Sequence, residues 1–248
     1  YGLSTGLDYS PGSFATTGEL IELSKVAARL GGIYHTHLRN TLGDRYLDPP
    51  KEALEISRQS GIPCHLTHFY QRVSHPGGAR KLIELVEKSR LEDIDVTFDS
   101  YPYIFSSTRL SINFPQWAQE GGPENMKAIM STIAGRDKLR ASMFSRGLSY
   151  NDIWLTYFKK DHNHRFEGKS VSEVARMMEK DEVDAMCDLL LDEDLQVSYV
   201  APGVNGTTLS EFITHPFSMV GTDALLIGDF PSPRTYGTFP TILGQYVR

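Results

Sequence analysis

Over its first hundred positions the chain alternates between two hydrophobic rhythms. Short apolar runs at 2–7, 33–39, 62–69 and 95–103 have the length and Val/Ile/Tyr/Thr content of strands. Between them the apolar residues recur at helical spacing. Thr16 and Glu19 form a capping-box pair opening a first helix, with Leu20, Leu23, Ala27 and Leu30 on one face and Gly31 as its stop. A second helix is expected after Asp48 as N-cap, with Pro49 and Pro50 at its start and Gly61 at its end. A third is carried by Leu82, Ile83 and Val86 as far as Ser89. Strand, helix and strand at this spacing predict parallel pairing through right-handed crossovers.

The rhythm breaks at 104–213, which reads as a mostly helical insertion. Ser170 and Glu173 form another capping-box pair before Val171, Val174, Ala175 and Met178, and Val183, Met186, Leu189 and Leu190 mark a further helix. Insertions after barrel strands often become lids. A last strand-like run, 218–222, leads into Asp223. The expected organisation is therefore barrel βα units at 1–103, the insertion or lid at 104–213, and a closing barrel strand with its following segment at 214–248.

Composition narrows the class. With 248 residues, 40% apolar and 23% charged, the chain can bury a sizeable core. The net charge is −6 and the 25 basic residues are scattered, which argues against a nucleic-acid or membrane partner and for a small polar substrate. Cys64 and Cys187 form no CxxC or disulfide framework, so reduced thiols are expected. The chain opens on Tyr1 inside a strand-like run and stops at Arg248 where a helix begins, so both ends are expected to be cuts through a longer protein.

Three polar residues stand at the ends of apolar runs. His37 and His68 are 31 residues apart and His68 and Tyr101 are 33 apart, about one βα unit each. Equivalent positions therefore recur at strand C-termini, where α/β barrels build their chemistry. Two imidazoles and a later carboxylate, Asp223, in such places predict a divalent metal and metal-assisted hydrolysis. Each has a plainer reading. Asp223 could cap a following helix. His35 shares a face with His37 but lies deeper, as a hydrogen-bonded core residue would. Alternation pairs Cys64 with His68 and turns His65 away, to pack against a helix. His162 and His164 sit among charged residues and read as a solvated loop, and His75 and His215 as loop residues.

The run Gly2-Leu3-Ser4-Thr5-Gly6-Leu7-Asp8-Tyr9-Ser10-Pro11-Gly12 and the run from Gly31 through Ile33-Tyr34-His35-Thr36-His37 to Asn40 resemble the N-acyl-D-amino-acid deacylases of the amidohydrolase superfamily. So do Asp99-Ser100-Tyr101-Pro102-Tyr103, Gly221-Thr222-Asp223, and Pro233-Arg234-Thr235-Tyr236-Gly237-Thr238-Phe239-Pro240. The matches occur in order and cover the chain apart from the insertion. The resemblance implies a partial (β/α)8 TIM-like barrel carrying the later strands, with His37 and His68 binding zinc and Asp223 as general base. Tyr101 and Arg234 match positions that hold the substrate carboxylate. A third such position, usually Lys, is Tyr70 here. The family's first-strand His-x-His pair and its cysteine ligand would precede Tyr1.

The implied reaction is hydrolysis of an N-acyl-D-amino acid to a carboxylic acid and a D-amino acid. A cyclic-amide or dipeptide hydrolase of the same superfamily, and a metal-free binding protein on a barrel remnant, remain the alternatives.

Overall fold

The computed structural model describes residues 1–39, 45–75, 77–144, 149–228 and 231–247. Asn40, at the end of one quoted motif, lies outside them. The first elements in chain order are β1 (Gly2–Gly6), α1 (Thr17–Arg29), β2 (Ile33–His37), α2 (Asp48–Ser60), β3 (Cys64–Leu66), α3 (Gly78–Leu91) and β4 (Val96–Ser100). Then come β5 (Phe105–Arg109), α4 (Gln116–Gln119), α5 (Gly122–Met130), α6 (Ile133–Phe144), β6 (Trp154–Tyr157), α7 (Val171–Met177), α8 (Glu182–Asp192) and β7 (Ser198–Pro202). Last are α9 (Leu209–Ile213), β8 (Ser218–Val220) and α10 (Arg234–Thr241).

These elements form two units. One comprises Tyr1–Ile104, Gly203–Ala224 and Pro233–Arg248, the other Phe105–Pro202 and Leu225–Ser232. The first is an α/β unit around a five-stranded sheet in the order β1-β2-β3-β4-β8, with every pair parallel. Register aligns Tyr34 with Cys64 and Val96, and the next row His35 with His65 and Thr97. One face, carrying Tyr34, Thr36, Cys64, Leu66, Val96 and Phe98, is buried in the core with Leu20, Ile21, Leu54, Ile56, Leu82 and Val86 of the helices. The opposite face carries the His35, His65 and Asp99 positions, with Ile33 and Met219 exposed.

The helices begin and end for local reasons. The Thr16 hydroxyl accepts the Glu19 N–H at 3.2 Å, and α1 stops before Gly31, which adopts φ 71°. The face that α1 buries differs from the expected one: Leu20, Ile21 and Ser24 are buried, whereas Leu23 is 48% and Leu30 83% exposed. Both stripes satisfy the helical period. The one with Ser24, Ala27 and Ala28 wins because small side chains let α1 lie close against its neighbours. Asp48 is the first residue of α2 rather than its cap. Leu47 holds that position without a side-chain bond, the prolines occupy the first turn, and Gly61 closes the helix in the left-handed region at φ 71°.

The second unit has its own core around Leu110, Phe114, Leu155, Val174, Met186 and Leu190. Ser170 and Glu173 make both bonds of the capping box, at 3.2 and 2.8 Å. Besides helices, this unit contains an antiparallel sheet in the order β5-β7-β6, which the reading of 104–213 as mostly helical did not anticipate. Its strands are short and pair across intervening helical segments tens of residues long, so their pattern gives little signal in a sequence window.

Candidate active site

The three strand-end residues are placed by backbone geometry as much as by strand position, and His37 and His68 meet. His37 is the last residue of β2 and pairs with Gly6. His68 lies beyond the end of β3 at φ 36°, and Asp223 beyond β8 at φ 45°. Left-handed backbone costs a residue other than glycine about 1–2 kcal/mol. At His68 the cost is offset by Asp99. Its Oδ1 accepts the His68 N–H at 2.6 Å while its carbonyl accepts the Phe69 N–H at 2.8 Å. A hydrogen bond to a carboxylate contributes about 1.5–3 kcal/mol, enough to hold the turn.

This turn overturns the alternation argument for β3. The strand ends at Leu66, so Cys64 and His68 do not share a face. Cys64 lies in the core with its thiol pushed up to about 12 by burial, and His68 turns toward His37. His65 does not pack against a helix either. Its Nδ1 bonds the Thr97 hydroxyl at 2.8 Å, its Nε2 bonds Asp99 Oδ2 at 3.0 Å, and its ring stacks on His35 with centroids 5.2 Å apart.

His37 Nδ1 and His68 Nε2 approach to 2.7 Å. The other His37 nitrogen, Nε2, is buried without a hydrogen bond among the described residues and sits 3.5 Å from Asp8 Oδ2. Burial holds the His68 pKa well below its usual value, reinforced by His37 and Arg72. A ligating imidazole must be neutral. His68 is thus disposed to the neutral form a metal needs, and His37 lies beside it; a slight parting of the two rings from their 2.7 Å contact would leave both nitrogens as donors to one divalent ion.

Asp223 Oδ2 lies 2.8 Å from Arg234 NH1. Desolvation raises the Asp223 pKa against the opposing pull of Arg234 and His37, and its solvent-open outer edge limits that rise. Arg234 is only 1% exposed and its guanidinium lies 4.9 Å from the centroid of the Tyr101 ring. The Tyr101 hydroxyl meets the Tyr70 hydroxyl at 2.7 Å, and both rings are buried. The five positions singled out with His37 and His68 as metal donors and Tyr70, Tyr101 and Arg234 as substrate contacts therefore form two linked groups, with Asp223 joined to the second.

A small cleft of about 40 Å³ opens beside His68 and Tyr70, lined also by Arg39, Tyr46, Arg72 and His75. His75 stacks on Tyr46 and is pushed down to about 4 by burial and Arg72. His162 pairs with Asp192 and His164 with the Phe158 carbonyl, so they converge on nothing. His215 lies against Phe98 and Phe217. Among the described residues, the tightest trio of ligand-type atoms is not at His37 but at His35, His65 and Asp99, all within 4.8 Å of one another. Asp99 was legible only as part of a motif. The alternation that placed His35 and His37 on one face also places Thr97 and Asp99 on one face of β4, and that signal was available.

A parallel α/β sheet with imidazoles and a carboxylate at its strand ends has the donor set of a metal-assisted hydrolase. Similarity to known proteins points to one group. The chain is 28% identical over 249 residues to the D-aminoacylase of Alcaligenes xylosoxydans xylosoxydans and 29% identical over 248 residues to its N-acyl-D-glutamate deacylase, covering all of this chain and 43% of each relative. The N-acyl-D-glutamate deacylase from Bordetella bronchiseptica, solved with zinc and a phosphonate mimic of the tetrahedral intermediate, matches with a TM-score of 0.76 and 26% identity over 99% of this chain and 44% of that one. A D-aminoacylase structure at 24% identity shares the fold, with a TM-score of 0.73 over 100% of this chain and 44% of that one. No family model matches. The similarity agrees with the resemblance read from the motifs: the chain is similar over its whole length to D-aminoacylases and N-acyl-D-amino-acid deacylases, and it spans under half the length of the curated relatives it matches.

Proposed function

We propose that the whole protein is a zinc-dependent deacylase of N-acyl-D-amino acids, to which this chain contributes the general base, two metal ligands and the substrate clamp. The observation that carries the reading is the convergence of His37 Nδ1 on His68 Nε2 at 2.7 Å, on the same sheet end as a buried arginine paired with a carboxylate. The five parallel strands would belong to a (β/α)8 barrel, with 104–213 as its insertion. Exposure of Ile33 and Met219 on the open face supports this, since that face lines the interior of a closed barrel.

His37 and His68 would hold the metal. When bound, zinc supplies polarisation of the amide carbonyl and a water of lowered pKa. Asp223 accepts the proton of the attacking water and returns it to the leaving nitrogen, so that acid and amine separate. Its raised pKa makes it a stronger base than an ordinary aspartate, which suits a group that takes up and then returns a proton. Arg234 presents two parallel N–H groups to the substrate carboxylate and the Tyr101 hydroxyl adds a third donor, fixing the scissile bond relative to Asp223. Tyr70, in the position usually held by Lys, adds a hydroxyl where a second cation would stand.

In the full protein, Asp223→Ala should lower kcat about 100- to 10,000-fold, the usual worth of a general base, with zinc content unchanged by elemental analysis. Undiminished turnover would sink the assignment. A panel of N-acyl amino acids in both enantiomers, with dipeptides and cyclic amides, separates this activity from its relatives.

A further inference from the structure

We propose that Asp99 is the positioning residue for His68, and that His65 and Thr97 hold Asp99 to that task. The chain of contacts is continuous. The Thr97 hydroxyl meets His65 Nδ1 at 2.8 Å, His65 Nε2 meets Asp99 Oδ2 at 3.0 Å, and Asp99 Oδ1 accepts the His68 N–H at 2.6 Å. Each carboxylate oxygen thus has a distinct partner, and the one facing His68 bonds the amide of a residue at φ 36°. The adjacent amide, Phe69, bonds the Asp99 carbonyl at 2.8 Å, so one residue of β4 grips two successive amides after β3. Among the described residues Asp99 is the group that bonds the His68 N–H, and without it the left-handed backbone loses the partner that offsets its cost, so that the His68 ring is free to follow the alternation of β3 toward the core.

A second contact ties Asp99 to the other half of the site. A Cβ on Gly221 would lie 2.6 Å from Asp99 Cγ, so the strand that delivers Asp223 passes the carboxylate at a distance only glycine allows. Asp99 therefore lies against both the turn that carries His68 and the one that leads to Asp223.

The same carboxylate belongs to the trio His35, His65 and Asp99. Its two oxygens are already engaged by His65 and the His68 N–H, which favours a structural relay over a separate cation site.

The metal-binding consequence rests on the reading of His68 as a ligand, and the test separates the two. In the full protein labelled with 15N-histidine, the His68 amide proton is expected downfield and protected in the parent. In Asp99→Ala it should lose both properties, and the zinc dissociation constant, measured by competition with a chelating dye, should rise about 10- to 100-fold. Asp99→Asn, whose carbonyl oxygen can still accept the amide, should retain the amide signal and hold the zinc constant within about threefold; His65→Phe should fall between them. The visible bands of the cobalt-substituted protein should shift in Asp99→Ala and not in Asp99→Asn. An unchanged His68 amide in Asp99→Ala overturns the proposal, as does an Asn variant as impaired as Ala. Loss of one whole metal equivalent in His65→Phe, with the remaining site unaltered, also overturns it, by making the trio a metal site. A parent that binds no zinc refutes His68 as a ligand, while the amide signal still decides what Asp99 does.

Discussion

Arg234 and Asp223 form an ion pair at 2.8 Å in which the cation is 1% exposed and the carboxylate is open along one edge. The buried guanidinium is thus balanced before any substrate arrives, as a buried charge must be. A substrate carboxylate entering beside it would share or displace Asp223 and free that group to act on water. Replacing Arg234 by Met should raise KM for N-acyl-D-amino acids about 10- to 100-fold, the worth of a charge-assisted pair, while hydrolysis of the corresponding uncharged amides changes little. Steady-state kinetics on matched acid and amide substrates decide this.

The hydroxyl pair of Tyr70 and Tyr101 makes a different demand. Tyr70→Phe removes one partner of a buried hydrogen bond and loosens the Tyr101 hydroxyl. Stability should fall by about 1–2 kcal/mol and KM should rise severalfold, with kcat less affected. Urea unfolding and initial rates measure the two effects separately.

Gly221 tests how tightly the two site-bearing strands approach. Gly221→Ala brings a methyl 2.6 Å from Asp99 Cγ, too close for either to remain in place. A loss of about 1–3 kcal/mol in unfolding free energy is expected, as for other overpacked sites. Zinc affinity should weaken in the same variant. Thermal unfolding with a parallel zinc titration provides both readings.

His75 gives the chain a dependence on pH. Its pKa stands near 4 in the folded protein against 6.5 for the free side chain, because burial and Arg72 disfavour the imidazolium. Between those values the unfolded chain binds more protons than the folded one, so stability falls as pH drops from 6.5 toward 4. Above that window both states are neutral and the dependence vanishes. His35 and His68 are lowered too and act with the same sign. His75→Phe should flatten part of the slope, by about 1 kcal/mol once partial exposure is discounted, as denaturant midpoints at several pH values would show.

Much of the fold was legible because period and punctuation agree. Gly31 and Gly61 end helices, Thr16 and Ser170 begin them, and the apolar runs around His37 and His68 recur one βα unit apart. These signals act within a few residues of themselves, so a sequence window contains their cause. Strand-end placement of His37, His68 and Asp223 followed from the same spacing, and the relatives' names agree with the motifs that flank them.

What the chain's pattern determined was the order of strands and helices, their parallel sense, and which polar residues stand at strand ends. Tertiary structure alone decided which way those residues face. Alternation pointed His68 with Cys64 and His65 toward a helix, but a turn at φ 36° reversed the first, and Thr97 and Asp99 captured the second. The choice of buried stripe on α1 and the antiparallel sheet of the second unit belong to the same category. The physical reason is common to all of them. A left-handed turn, a close helix approach or a pairing of strands separated by several helices is stabilised by partners distant in sequence, here an aspartate 31 residues beyond the histidine it holds.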